Sequence, residues 1–139
     1  MTRGLRNCNP LNIRRVAGTR WKGQRTEQTD KSFVQFENLE WGLRAAFCIL
    51  NTYRRKYKAV CIEDIINRWA PTSENATSEY IRTVCRLTGF GGKERLSEND
   101  WPKLVRAMAT VESGVSLEDR DMELGVQLYQ MLNQKQPKK

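Results

Sequence analysis

The chain of 139 residues contains no histidine. This absence excludes the Ser-His-Asp and Cys-His catalytic arrangements, and it removes the commonest transition-metal ligand of proteins. The proton-transfer groups that remain near pH 7 are carboxylates, with Lys, Tyr and Cys as less favoured options. If the protein is an enzyme, its central catalytic group is therefore expected to be an Asp or Glu side chain.

Paired cysteines and long apolar runs are missing as well. The four cysteines, Cys8, Cys48, Cys61 and Cys85, form no CxxC pair, so we expect no zinc site, no other metal and no cofactor. Cys48 and Cys85 fall in apolar helical patterns, which predicts buried thiols. No segment approaches the ~18–20 apolar residues that cross a bilayer, and the N-terminus has no apolar signal region. We therefore expect synthesis in the cytoplasm, no transmembrane segment and no disulfides at synthesis.

Positive charge predominates, with 24 Lys and Arg against 16 Asp and Glu, a net charge of +8. This excess favours a polyanionic partner, for which nucleic acid and an anionic bacterial envelope are both candidates. A solvated surface that promotes solubility is an equally good explanation of any single charge. The basic residues form an early group and a later cluster: Arg3, Arg6, Arg14, Arg15, Arg20, Lys22 and Arg25, then Arg54, Arg55, Lys56 and Lys58.

Hydrophobic periodicity predicts a mainly α-helical single domain over residues 1–133. A small extended or hairpin region is expected near residues 18–36, after an Asn-rich loop over residues 3–15. The basic residues 134–139 are expected to form a disordered tail. Helices are predicted at residues 39–57, 62–69, 77–87, from about 97–100 to Gly114, and at about 117–132.

The segment LVRAMATVESG, residues 104–114, places a carboxylate beside the apolar face of its own helix. Leu104, Met108 and Val111 recur at helical spacing, and Glu112 lies four residues after Met108. A glutamate in such a position tends to keep its proton, because low dielectric disfavours the charged form. A carboxylic acid that is protonated near neutral pH can act as a general acid. The alternative is an ordinary solvated residue at a helix end.

Three segments together resemble bacterial cell-wall glycosidases of the lysozyme-like superfamily. AMATVESG, residues 107–114, resembles the catalytic-glutamate segment of lytic transglycosylases and goose-type lysozymes. RNCNPLNIRR, residues 6–15, is similar to the Asn-rich turn of bacterial glucosaminidases. WAPTSENATSEYIRTV, residues 69–84, resembles the transglycosylase segment that contains Tyr-Asn-Ala-Gly and then a further tyrosine.

The order of these segments departs from the family, in which the glutamate helix comes first. Here it follows the other two, and circular permutation explains that order economically. Small phage-encoded proteins that open with an Arg-Asn-Asn-Asn-Pro-x-Asn-Ile-Arg turn, and that are associated with virions and cell lysis, also resemble most of this chain. Cys8 stands where an Asn is usual in that turn, which puts the polar contacts of that position in question.

The resemblance implies an α+β lysozyme-like enzyme, an endolysin or virion-associated lysin, that cleaves the β-1,4-linked glycan of peptidoglycan. It places Glu112 as the general acid and brings Tyr80 to it as a second catalytic residue. The residues expected to bind substrate are Asn7, Asn9, Asn12, Ser113, Asn75 and Trp21. Trp69 and Tyr53 also offer flat faces to sugar rings. Candidates for a second catalytic carboxylate are Glu27, Asp30, Glu37 and Glu74, although a lytic transglycosylase, in which the sugar's own hydroxyl attacks, needs none.

A non-enzymatic virion structural or nucleic-acid-binding protein is the competing interpretation, since the charge and the aromatic residues permit it. The sequence shows no zinc finger, RNA-recognition signature or convincing helix-turn-helix, so no specific nucleic acid is expected as a partner. For the glycosidase, the expected partners are peptidoglycan strands and the anionic envelope. We expect a monomer that acts in the periplasm or cell wall after release from the host cytoplasm, or from a virion.

Overall fold

The computed structural model describes residues 1–134, with side chains to residue 132, and is built mainly from α-helices. The predicted helical class is thus confirmed. A 3₁₀ turn at Glu98–Asp100 leads into the fifth helix. The helices are α1 at Arg3–Arg6, α2 at Leu39–Tyr57, α3 at Ile62–Trp69, α4 at Glu74–Thr88, α5 at Trp101–Ser113 and α6 at Asp119–Gln134.

Local capping explains where these helices begin and end. Helices α2 and α3 have the predicted bounds. Helix α4 begins at Glu74, three residues earlier than predicted, because the Ser73 side chain accepts a hydrogen bond from the Ala76 N–H at 3.1 Å. Before α5, the Asp100 carboxylate accepts a hydrogen bond from the Ser97 N–H at 2.8 Å. Gly114 ends α5 with φ +78°, a conformation that glycine adopts without steric cost.

The core surrounds α2, which packs mainly on α6, while α4 packs on α5 and α3. Close packing of α2 and α6 depends on Gly125, where a Cβ would lie 2.7 Å from the Leu43 Cβ. The largest fully buried side chains are Phe36, Phe47, Leu11, Leu43, Leu50, Ile62, Ile65, Ile66, Leu104, Met108, Val84 and Val105. Within residues 1–134, no helix has the length and apolar character needed to span a membrane.

The segment predicted as a hairpin, residues 18–36, forms no continuous strand pair in the described chain. Two isolated antiparallel bridges, Arg14 with Phe33 and Gln24 with Phe36, are its only regular pairing. Side chains form hydrogen bonds with backbone groups of this segment instead. For example, the Gln35 Oε1 accepts a hydrogen bond from the Thr29 N–H at 2.6 Å. The prediction of a hairpin here needs this correction, because side-chain hydrogen bonds compete with a continuous strand ladder.

Smaller predictions also need correction. Residues 3–6 form the short helix α1 rather than loop, and α6 begins at Asp119 rather than near residue 117. Cys48 and Cys85 are half-buried, whereas Cys61 is the buried thiol; all four cysteines are free. Gln134 belongs to α6, and the rest of the predicted tail, residues 135–139, lies outside the described residues.

Asn9 holds the Asn-rich turn to the extended segment. Its side chain is fully buried, and its Nδ2 donates to the Ile13 O at 3.0 Å and to the Val34 O at 2.8 Å. Its Oδ1 accepts from the Ile13 N–H at 2.9 Å. The Asn9 amide therefore provides the hydrogen bonds that a paired strand would otherwise provide here, since buried backbone groups need partners.

We predict that Asn9→Ala lowers the free energy of unfolding by about 2 kcal/mol or more, because buried donors and acceptors lose their partners. Urea unfolding followed by circular dichroism measures the change. Asn75→Ala, at an exposed position of α4, is the matched control and should stay within about 0.5 kcal/mol of the wild type. Equal effects of the two substitutions would contradict a special role for Asn9.

Candidate active site

A groove of about 640 Å³ opens along one side of the molecule. It is lined by residues from the segment 12–33, from α2, from the end of α3 and the α3–α4 connection, from α4 and from the last turn of α5. The lining residues with polar or aromatic side chains are Asn12, Arg14, Thr19, Trp21, Phe33, Tyr53, Trp69, Thr72, Tyr80 and Glu112.

Glu112 is half-buried in the last turn of α5. The neighbouring Ser113 anchors that turn, because its Oγ donates to the Pro10 O at 2.6 Å. This bond ties the helix end to the Asn-rich turn, some hundred positions earlier in the sequence. The carboxylate of Glu112 is thereby held in the groove.

Asn12 and Tyr80, which are far apart in the sequence, both donate hydrogen bonds to the Glu112 carboxylate. The Asn12 Nδ2 lies 3.2 Å from both the Oε1 and the backbone O of Glu112. The Tyr80 hydroxyl donates to the Oε2 at 3.0 Å. Asn12 adopts φ +53°, a left-handed conformation that asparagine tolerates better than most residues. Each carboxylate oxygen thus has its own donor.

Burial raises the pKa of Glu112 above its ordinary value. Hydrogen bonds from Asn12, Tyr80 and Trp69, together with the positive charge of Arg14, oppose that rise without cancelling it. Burial raises the pKa of the Tyr80 hydroxyl, and the nearby negative charge of Glu112 is the second largest cause of this rise. Tyr80 therefore stays protonated and serves as a hydrogen-bond donor, while Glu112 keeps its proton to a higher pH than an ordinary glutamate does.

The structure brings Asn12, Trp21 and Tyr80 together with Glu112, but it places the other predicted binding residues elsewhere. Asn7 and Asn9 are buried and bonded within the fold, the Asn7 Nδ2 donating to Asp30 at 3.0 Å and its Oδ1 accepting from Gln35 at 3.1 Å.

Ser113 and Asn75, also predicted as substrate contacts, lie outside the groove lining. Ser113 is buried with its hydroxyl on the Pro10 carbonyl, and Asn75 is exposed on α4 outside the groove lining. These four positions thus have no contact with the groove, because the fold uses their hydrogen-bonding groups or turns them away from it.

None of the candidates for a second carboxylate, Glu27, Asp30, Glu37 and Glu74, lines the groove. Asp30 instead pairs with Arg3 at 2.7 Å, and this guanidinium, with the Asn7 amide and two backbone N–H groups, holds the pKa of Asp30 well below its usual range. Among the residues that the structure describes, Glu112 is the single carboxylate of the groove. The same residues contain no cluster of Cys, Asp and Glu that could hold a metal ion.

Arg14 and Phe33 are groove residues that sequence reasoning missed. The Arg14 guanidinium carbon lies 5.1 Å from the centroid of the Phe33 ring, and a backbone bridge joins the two residues. The sequence places Arg14 in the basic N-terminal group and in the segment of residues 6–15, and it indicates no separate role for this side chain. Its place two residues after Asn12, in the motif NIRR, was the available signal.

We predict that Glu112→Gln stabilises the protein relative to the wild type increasingly as the pH rises above about 4.3, the ordinary pKa of glutamate. In that range the unfolded chain has lost the Glu112 proton while the folded chain still holds it, so wild-type stability falls with pH until the raised folded-state pKa is passed. The glutamine carries no charge to bury. Urea unfolding across this pH range, with the exposed Glu118→Gln as control, measures the difference, and a gap that is constant with pH would contradict it.

Comparison with known proteins relates the chain to a phage protein. No family model matches the sequence. The chain is 41% identical over 114 residues to Protein P5 of Pseudoalteromonas phage PM2, a match that covers 81% of this chain and 71% of the relative. Because the similarity extends over most of both chains, the protein belongs to the same family as Protein P5 of phage PM2.

Proposed function

We propose that the protein is a peptidoglycan-cleaving glycosidase in which Glu112 acts as general acid and then as general base. The observation that carries the proposal is the carboxylate of Glu112, half-buried in a groove and bound by Asn12 at 3.2 Å and Tyr80 at 3.0 Å. Cleavage of a glycosidic bond requires a proton donor for the departing oxygen. The raised pKa of Glu112 suits that step.

The first step transfers the Glu112 proton to the glycosidic oxygen as the bond from that oxygen to the anomeric carbon breaks. The electron pair of the bond leaves with the oxygen, and positive charge develops on the sugar ring. The Glu112 carboxylate formed in this step is stabilised by the donors already aimed at it, Asn12 and Tyr80. No proton needs to come from solvent.

The second step closes the reaction by attack of a hydroxyl oxygen on the anomeric carbon, with Glu112 taking up the proton. In a hydrolase the attacking group is water, usually directed by a second carboxylate. The described groove has Glu112 as its single carboxylate, which favours attack by a hydroxyl group of the same sugar, the lytic transglycosylase route. The product is then an anhydro sugar, and Glu112 is protonated again for the next cycle.

The groove suits a glycan chain in size and in surface. Sugar rings stack on aromatic faces through their C–H groups, and Trp21, Tyr53 and Trp69 line the groove. Tyr53 and Trp69 hold each other edge to face, with centroids 6.3 Å apart. A volume of about 640 Å³ accommodates a short oligosaccharide segment.

The proposal includes a circularly permuted lysozyme-like arrangement and a role in phage-mediated lysis or entry. The contacts of Glu112 with the Asn-rich turn and with Tyr80 support the first part, since the three resembling segments meet in one site. The phage origin of the 41% identical relative supports the second. The net charge of +8 would concentrate the protein on an anionic envelope.

We predict that the wild type clears purified peptidoglycan in a zymogram and that Glu112→Gln loses at least about 100-fold of this activity, since the proton donor is gone. The exposed Glu118→Gln is the matched control and should retain activity. Mass spectrometry of the soluble products distinguishes the two routes, because an anhydro product is lighter by one water than its hydrolytic counterpart.

Retention of clearing by Glu112→Gln would contradict the proposal. A wild type that leaves peptidoglycan intact but shifts DNA or RNA with steep salt dependence, irrespective of Glu112, would support the competing nucleic-acid-binding role. A wild type that does neither would point to a structural virion protein, since a fold can persist without its activity.

We predict that Tyr80→Phe moves the basic limb of the kcat/KM profile to higher pH and lowers the maximal rate. The hydroxyl stabilises the charged form of Glu112, so its loss raises the pKa of that carboxyl further. Tyr53→Phe is the matched control, because Tyr53 lines the same groove without a hydrogen bond to Glu112. A profile of Tyr80→Phe that coincides with the wild type would argue against this coupling.

A further inference from the structure

We infer that Arg14 forms an anion-binding subsite in the groove and that the preferred substrate carries a carboxylate beside the cleaved bond. The inference rests on the proposed function, and it names the substrate class of that same site. It separates a peptidoglycan strand, whose muramyl sugars bear a lactyl group and a stem peptide, from a neutral chitin-type strand with the same linkage.

The guanidinium of Arg14 differs from those of Arg3, Arg15 and Arg25, which are all hydrogen-bonded within the fold. Arg3 binds the Asp30 carboxylate at 2.7 Å, and Arg15 donates to the Asp30 O at 2.8 Å. Arg25 donates to the carbonyls of Phe36 and Arg6. For Arg14, the described part of the chain provides no hydrogen-bond or ion-pair partner, although this arginine is the one that lines the groove.

Contact with Phe33 orients the free guanidinium. Two arginines contact the Phe33 ring, with Arg14 at 5.1 Å and Arg3 at 4.7 Å from its centroid, and the Arg3 guanidinium is itself held by Asp30. A guanidinium stacked on an aromatic face keeps its planar edge available for a bidentate bond to a carboxylate. The subsite is therefore partly organised before a ligand arrives.

The charges of the groove favour an anion at this position. Arg14 and Glu112 are the two charged residues in its described lining, and the general-acid step requires Glu112 to be neutral when the glycan binds. The groove then presents one net positive charge, on Arg14. A carboxylate on the glycan would complement that charge, whereas a neutral strand would leave it exposed to water.

Arg14 also acts on Glu112, since its charge lowers the pKa of that carboxyl. Loss of Arg14 would therefore alter turnover of every substrate through the acid. Recognition of a carboxylate, in contrast, affects only those substrates that carry one. Comparison of charged with neutral glycans, each variant being assayed at its own pH optimum, separates these two effects.

The test compares three glycans: chito-oligosaccharides, peptidoglycan strands stripped of stem peptides so that lactyl carboxylates are free, and strands with intact stem peptides. At its own pH optimum, Arg14→Gln should weaken binding and raise KM about tenfold for a carboxylate-bearing strand. Kd and KM for chito-oligosaccharides should stay unchanged, and any change of kcat through Glu112 should be shared by all three glycans. Arg14→Lys should restore part of the loss, because lysine keeps the charge without the planar fork. Arg20→Gln, an exposed position outside the groove lining, makes the same charge change as a control.

The pattern of losses identifies the source of the carboxylate. A loss confined to stripped strands assigns it to the lactyl group, and one confined to intact strands assigns it to the stem peptide. An equal loss on neutral and charged glycans, or no loss on any, would overturn the inference.

Binding is also titrated by calorimetry, so that failure of the proposed function can be recognised separately. If the wild type binds carboxylate-bearing strands through Arg14 but cleaves none, the anion subsite is supported and the glycosidase function is refuted. A wild type that binds no glycan would refute both.

Discussion

The candidate site depends on one contact, the seating of the N-terminal turn on the end of α5. The Ser113 Oγ donates to the Pro10 O at 2.6 Å, and this contact is possible because Gly4 has no side chain. A Cβ at Gly4 would lie 2.3 Å from the Ser113 Oγ and 3.1 Å from the Asn12 Oδ1. Without this approach Asn12 would not reach Glu112, whose carboxylate would be more open to water. A contact between residues far apart in the sequence thus brings the Asn-rich turn against Glu112, whose pKa burial raises.

The conformation of Asn12 and the burial of Glu112 are locally unfavourable, and hydrogen bonds elsewhere in the Asn-rich turn stabilise them. Asn12 is held in the left-handed region, with its Oδ1 buried and lacking a hydrogen-bond partner in the described chain, and Glu112 is held where burial disfavours its charge. Asn7 and Asn9 offset this cost, because the Nδ2 and the Oδ1 of each side chain are hydrogen-bonded within the fold. Local strain at a site supported by well-bonded surroundings is typical of functional positions.

The difference between local and long-range contacts explains what could and could not be predicted from the sequence. Helices α2 and α3 were predicted to the residue, because apolar periodicity and end signals are local. Glu112 beside an apolar face followed from the same periodicity. In contrast, Asn9 and Asn12 belong to one motif and one residue type, and only long-range contacts decide that the first is structural while the second faces the groove. Arg14 was missed for a related reason. Only long-range contacts show that Arg3 and Arg15 are bound to Asp30, whereas Arg14 has no such partner in the described residues and lines the groove.

On the proposed function, the opposing influences on Glu112 match the two tasks of one residue. A general acid must hold its proton in the free enzyme, and burial provides for that. After proton transfer the same group must exist as a carboxylate, and donors from Asn12, Tyr80 and Trp69 are aimed at that form. A bound glycan would expel water and strengthen both influences, since electrostatic interactions grow as the dielectric falls. A carboxyl with burial alone would give up its proton reluctantly, and one with donors alone would have lost it before the substrate arrived, so the groove needs both.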